Sequence, residues 1–325
     1  MYKSLKELHP YLRGCCGFTD IDGQIAPVRF DTDRLDYLKN IGDGKFFNIA
    51  SCSAGISLAF STDADEISFD YSIGEITYVT NSGIDIYENG IFSAHFPMNK
   101  GDTDVHISYT VKSAERCEIE IYFPGGVIFF PYNFSLGDIS PLPRRSKLAL
   151  FYGSSSTQSA YVSYPSFSWP EATARFLDAE YINRGIGSYY YDAGSLPEKS
   201  DCNPDYVFIM YGGNDILLFP TIDDALQEAE KFIKKACALY PAAKTLVLSP
   251  EYMRKEPMDD NMRKNLEAYS AQLPALCNSF GCTFLSTKEL IPDLASLFLD
   301  DNVHFNVAGM GQFTSNLMNK LKDII

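Results

Sequence analysis

The sequence predicts an α/β protein of two parts, an antiparallel β-sandwich or jelly roll over 1–140 and a three-layer αβα unit over 147–325. Three observations carry this. Apolar residues alternate with period two from about 25 to 137; the composition changes near 140; beyond it apolar strand runs alternate with helical patterns.

Taken in order, Ser4–Leu12 is a short amphipathic helix candidate. Ile67, Phe69, Tyr71 and Ile73 then share one face of a strand, as do Cys117, Ile119, Ile121 and Phe123. Turn signals recur between such strands at Thr62–Asp65, Asn81–Gly83, Asn89–Gly90, Asn99–Asp102 and Pro124–Gly126, the spacing of a sandwich. PLPRRSK supplies a proline-rich, basic connector, with the linker at 141–146. Strands are predicted at Lys147–Tyr152, Glu180–Asn183, Asp205–Tyr211, Lys244–Ser249 and Thr283–Ser286. Helices are predicted at Pro170–Asp178, Ile222–Leu239, Asn261–Phe280 and Asn306–Ile325. That alternation implies a parallel sheet with right-handed crossovers.

Composition narrows the function. The formal charge of −15 offers no basic stripe to displace counterions from nucleic acid, and it disfavours anionic membrane surfaces. No apolar run approaches the roughly 18 residues of a membrane span. MYKSLKELHPYLRGCCG has no apolar h-region and no small-residue cleavage site. The eight cysteines show no CxxC pair and no metal-ligand spacing. The expectation is a cytoplasmic protein with reduced thiols, although a trimmed export precursor would look the same. A homodimer is compatible with the acidic surface.

Four stretches carry chemistry. LALFYGSSSTQS, Leu148–Ser159, runs from a buried strand into glycine and small hydroxyl residues, where an open α/β sheet exposes reactive groups. YINRGIGSYY, Tyr181–Tyr190, follows the second strand with two glycines, which lets backbone N–H groups approach a ligand. YVFIMYGGNDI, Tyr206–Ile216, delivers Asn214, whose amide suits an oxyanion donor, or an ordinary turn capped by Asp215. DDNVHF contains His304, the only histidine of four in this half, with Asp301 three residues upstream. If a serine here is activated by an imidazole of its own half, His304 is the base and Asp301 orients it.

Together these stretches resemble the SGNH hydrolases, the superfamily of the GDSL-type esterases and lipases. The resemblance covers about 148–325 and places the nucleophile of the GSSST block at Ser155. It implies a flavodoxin-like sheet of order 2-1-3-4-5, with the oxyanion held by the N–H of Ser155, the N–H of Gly187 or Ser188, and the Asn214 side chain. Ser188 stands where the family usually has glycine. No metal or organic cofactor is implied. In the first half, Gly83–Tyr87 (GIDIY) is similar to the GxDLY signature of a β-sandwich domain found ahead of SGNH domains.

The resemblance and the aromatic loops favour a serine esterase hydrolysing short acyl, above all acetyl, esters of a small or oligosaccharide substrate. Trp169, Tyr189 and Tyr190 are the candidate substrate contacts, with Tyr161, Tyr164, Phe167 and Tyr191 nearby. Interdomain packing is an equal alternative for these rings. The alternatives are a short-chain or lipase-like esterase, an acyltransferase using the same residues, and a non-catalytic carbohydrate-binding protein.

Overall fold

The computed structural model describes residues 2–76, 82–251, 253–254 and 260–325. Asn81, which opens one of the expected turns, lies outside them. The three central parallel strands are buried on both faces and read as nearly continuous apolar runs, as such sheets require. Lys147–Gly153, Ala179–Gly185, Tyr206–Met210, Lys244–Leu248 and Thr283–Leu285 form the five-stranded sheet. Its order is second, first, third, fourth, fifth, as expected, with Phe151 in register with Asn183 on one side and Phe208 on the other.

Helices cover both faces of this sheet. Trp169–Phe176 and Val307–Lys322 bury Trp169, Ala174, Phe313 and Leu317 against one face. Ile222–Leu239 and Asp260–Ser279 bury Phe232, Ile233, Tyr269 and Leu273 against the other. Helix Ile222–Leu239 begins where Thr221 accepts the N–H of Asp224 at 3.1 Å. Among the described residues no helix is long and apolar enough to cross a membrane.

The first half forms a two-stranded antiparallel sheet that pairs Gly17–Ile21 with Gln24–Val28, and two larger ones. One runs Leu12–Arg13, Ser57–Thr62, Cys117–Tyr122, Gly83–Glu88, Ile91–Pro97, with Ile139–Pro141 beside Ser57–Thr62; the other runs Val127–Ser135, Glu66–Ile76, Val105–Thr110. Ile67, Phe69 and Tyr71 share their core with Ile119, Ile121 and Phe129, so the period-two faces point inward together.

Two local expectations change. Ser4–Leu12 is not a helix: it forms turns and a 3₁₀ turn at His9–Tyr11, because Pro10 contributes no N–H, and Leu5, Leu8 and Leu12 plug the sandwich core. Conversely, helices Thr32–Lys39 and Lys45–Ala50 lie within the stretch read as strands alone. Their Leu35, Leu38, Phe46 and Ile49 join Tyr152, Tyr191 and Phe232 in the core of the parallel sheet. The basic connector is itself anchored: Arg144 donates to the Leu12 carbonyl at 2.7 Å and to Glu180 at 3.2 Å.

Candidate active site

The site forms at the carboxyl edge of the parallel sheet. Strand Lys147–Gly153 passes directly into the four-residue helix Ser155–Gln158. Gly153 is required by space, since a Cβ there would lie 2.0 Å from Thr157 Oγ1 and 2.7 Å from the Met210 carbonyl oxygen. The tight strand-to-helix turn leaves Ser155 almost buried, with its hydroxyl 2.7 Å from His304 Nε2.

His304 comes from the loop before helix Val307–Lys322. Its Nδ1 lies 2.6 Å from Asp301 Oδ2, while Asp301 Oδ1 accepts the N–H groups of Val303 and His304, each at 2.9 Å. An ionised carboxylate only accepts, so Nδ1 carries the proton and Nε2 presents a lone pair to the Ser155 hydroxyl. Burial lowers the His304 pKa below the ordinary imidazole value, partly offset by Asp301. Burial raises that of Asp301, but the hydrogen bonds from His304 and the two amides outweigh it and hold the carboxyl below its usual range. The Tyr161 ring stacks on the imidazole at 3.8 Å between centroids and 26° between planes. The arrangement can therefore deprotonate a serine hydroxyl as it attacks a carbonyl carbon.

The other expected residues lie just beyond the ends of the two strands that flank Lys147–Gly153. Asn214 directly precedes helix Asp215–Leu218 and donates one amide hydrogen to the Tyr189 carbonyl at 2.8 Å, which fixes the direction of the second. Asp215 is buried and accepts the N–H groups of Tyr191 and Gly212, each at 2.9 Å, so it folds the turn that presents Asn214. Gly187 gives its N–H to Gln158 Oε1 at 2.7 Å. Ser188 follows it at φ +59°, a left-handed conformation that accounts for the glycine usual at this place.

Two expected substrate contacts are corrected. Trp169 is wholly buried among Phe151, Phe208 and Phe313, because the first turn of its helix faces the sheet. Tyr189 is also wholly buried, its hydroxyl held by Asp192 at 2.6 Å. Tyr190 is half-buried between Tyr189 and Phe219. Tyr164 and Phe167 pack on His95 and Phe92 of the sandwich, the interdomain role. Asp85 of the GIDIY stretch is buried beneath them and accepts from the Ser166 N–H and hydroxyl as well as pairing with His95.

Sequence reading missed Arg29. Fully buried, it donates to the carbonyls of Asn183 and Gly185 at 2.7 and 2.6 Å and to those of Cys52 and Ile49 at 2.9 and 3.1 Å. Gln158 completes the brace, its amide reaching the Gly125 carbonyl at 3.3 Å while its oxygen holds Gly187. The first half of the chain thus grips the loop that carries Gly187 and Ser188.

A strand-end serine bonded to a histidine–aspartate pair, on a sheet of this order, is an arrangement that can support acyl transfer through a serine. Residues 151–311 are a GDSL-like lipase/acylhydrolase domain: they match the model of the GDSL-like Lipase/Acylhydrolase family. Similar solved structures span nearly the whole chain at low identity. The salicylyl-acyltransferase SsfX3 from a tetracycline biosynthetic pathway is 16% identical, with a TM-score of 0.83 over 99% of this chain and 97% of that one. A family two carbohydrate esterase from Clostridium thermocellum, solved with cellohexaose, is 15% identical, with a TM-score of 0.65 over 84% and 94%. An acetyl xylan esterase from the rumen bacterium Butyrivibrio proteoclasticus is 12% identical, with a TM-score of 0.60 over 100% and 98%. No curated protein matches the sequence.

Proposed function

We propose that the protein is a serine esterase that removes short acyl groups, acetyl foremost, from a carbohydrate through an acyl-enzyme on Ser155. The continuous hydrogen-bonded chain Ser155–His304–Asp301 is the observation that carries this reading. Ser155 Oγ attacks the ester carbonyl as its proton passes to His304 Nε2. Collapse of the tetrahedral intermediate breaks the bond to the sugar oxygen, which leaves with that proton. Water, deprotonated by the same nitrogen, then releases the acid and restores the serine.

The oxyanion is assigned to the N–H of Ser155, the N–H of Gly187 or Ser188 and the Asn214 amide, Gly187 being the one that also serves Gln158. Each such donor lowers the barrier by about 3 kcal/mol. The carbohydrate assignment draws on what the similar esterases are named for, and on Tyr190 as the half-buried aromatic beside Asn214's partner Tyr189.

Acetate release from acetylated xylo- and manno-oligosaccharides, measured against p-nitrophenyl esters of rising chain length, tests this. Acetylated sugars should be the best substrates, and faster turnover of long acyl chains would refute the assignment. Ser155→Ala should keep its fold and lose activity by about 10⁴-fold or more. A second reading, supported by the overall likeness to an acyltransferase, has an alcohol replace water in the second step. Formation of a new ester when a sugar alcohol is added would reveal it.

A further inference from the structure

A cavity of about 690 Å³ opens in the sandwich half, between residues 2–7, the Gln24–Val28 strand and the edge strand Val127–Ser135. It shares no lining residue with the Ser155 site. Its volume falls within the roughly 300–1,000 Å³ of small-molecule sites.

Two features mark the cavity wall as built for a ligand. Asn133 and Asp104 both line it, and both hold left-handed backbone conformations, at φ +53° and +52°. Such residues cost free energy and persist where the surroundings enforce them, often at binding sites. The register of the edge strand also shifts between Tyr132 and Ser135, a bulge that re-aims the side chains around Asn133.

Those side chains are held in advance. The Tyr132 hydroxyl donates to Asp104 Oδ1 at 2.5 Å, and Asn133 Nδ2 donates to Asp70 Oδ2 at 2.7 Å. Asp70 is fixed in turn by His106 Nδ1 at 2.7 Å, and the Asp104 N–H donates to Ser72 Oγ at 3.1 Å. A wall ordered before binding loses little entropy when a ligand arrives.

The lining chemistry selects the ligand. Lys3 and Lys6 balance Glu7 and Asp104, so the cavity favours neither an anion nor a cation. Tyr2, Phe130 and Tyr132 offer ring faces, while Gln24, Asn133 and Asp104 offer amide and carboxylate groups. A sugar ring presents an apolar C–H face beside hydroxyls that both donate and accept, which this mixture matches. A fatty chain would make no use of the polar side chains of Gln24, Asn133 and Asp104 in the wall.

We propose that this cavity binds a neutral oligosaccharide, at a site separate from Ser155 and independent of the reaction assigned there. Calorimetric titration of the full chain with unacetylated xylotetraose, mannotetraose and cellotetraose tests it. At least one should bind with Kd below about 1 mM, and Ser155→Ala should bind equally well. Tyr132→Ala should weaken binding tenfold or more while p-nitrophenyl acetate hydrolysis stays unchanged. Asn133→Gly relieves the left-handed strain yet removes the amide, so it should fold and still bind at least fivefold more weakly. Failure of all three sugars to bind, or binding that both variants leave intact, would overturn the proposal. Loss of esterase activity on acetylated sugars would leave it standing, which separates the two readings.

Discussion

Arg29 and Gly185 are joined by a 2.6 Å hydrogen bond, from a guanidinium in the first thirty residues to a carbonyl at the end of the second parallel strand. Burial pulls the guanidinium down to about 10, so it stays charged at neutral pH while serving four backbone carbonyls. Replacing it leaves those carbonyls without their buried donor. Arg29→Met should lower stability by about 3 kcal/mol in urea unfolding and reduce kcat more than it changes KM. Arg29→Lys, with the charge but not the planar fork, should fall between. Wild-type stability in Arg29→Met would show the brace to be idle.

Ser188 provides a test that runs the other way. A non-glycine residue at φ +59° costs about 1–2 kcal/mol, and a glycine costs roughly 0.5–1 in chain entropy. Ser188→Gly should therefore fold at least as stably as the parent and, because the backbone N–H survives, retain esterase activity within about twofold. A tenfold loss would assign work to the hydroxyl.

The pH dependence follows from His304. The base must be neutral to accept the serine proton, and burial places its pKa below 6.5. Activity should hold as pH falls to 6.5 and decline only as it passes through the lower folded value. Stability moves in the same direction, because the unfolded imidazole binds protons that the folded one refuses, so the fold weakens as pH drops below about 6.5. A kcat/KM profile with p-nitrophenyl acetate reads the first effect. An acid limb centred above 6.5 would contradict the buried neutral imidazole.

Glu171 has the opposite sign. It is buried in helix Trp169–Phe176, Oε2 has no hydrogen-bond partner, and burial pushes its carboxyl up to about 7 against the opposing pull of Arg175. The folded state thus holds a proton that the unfolded state releases near pH 4.5. Stability drains as pH rises from about 4.5 to 7, by on the order of 3 kcal/mol. Glu171→Gln should raise the melting temperature at pH 8 and change it little at pH 4.

How much was legible depended on where each signal lies. The central parallel strands declared themselves because burial on both faces leaves apolar runs such as Phe208–Met210, and Ile222–Leu239 has a threonine cap and a long apolar stripe. Helices Thr32–Lys39 and Lys45–Ala50 have only eight and six residues, too little period to separate from their strand-rich surroundings. An Asp31 cap on the Arg34 N–H was the one available signal. Ser155, Asp301 and His304 stand at strand and helix ends, where spacing survives in the sequence. Trp169 and Tyr189 do not, because composition cannot tell a ring that faces the sheet from one that faces solvent. Arg29 was invisible for another reason: its partners are carbonyls, which leave no trace in side-chain pattern.

The packing of Leu35, Leu38, Phe46 and Ile49 beside Tyr191 and Phe232 has a consequence for biogenesis. During synthesis these early residues leave the ribosome long before their partners, and the whole sandwich must be made in between. Helices Thr32–Lys39 and Lys45–Ala50 therefore wait, with an apolar surface available to chaperones, until the carboxyl half arrives. The same interleaving should merge the halves into one cooperative unit, with a single calorimetric transition for the full chain and aggregation of 147–325 expressed alone.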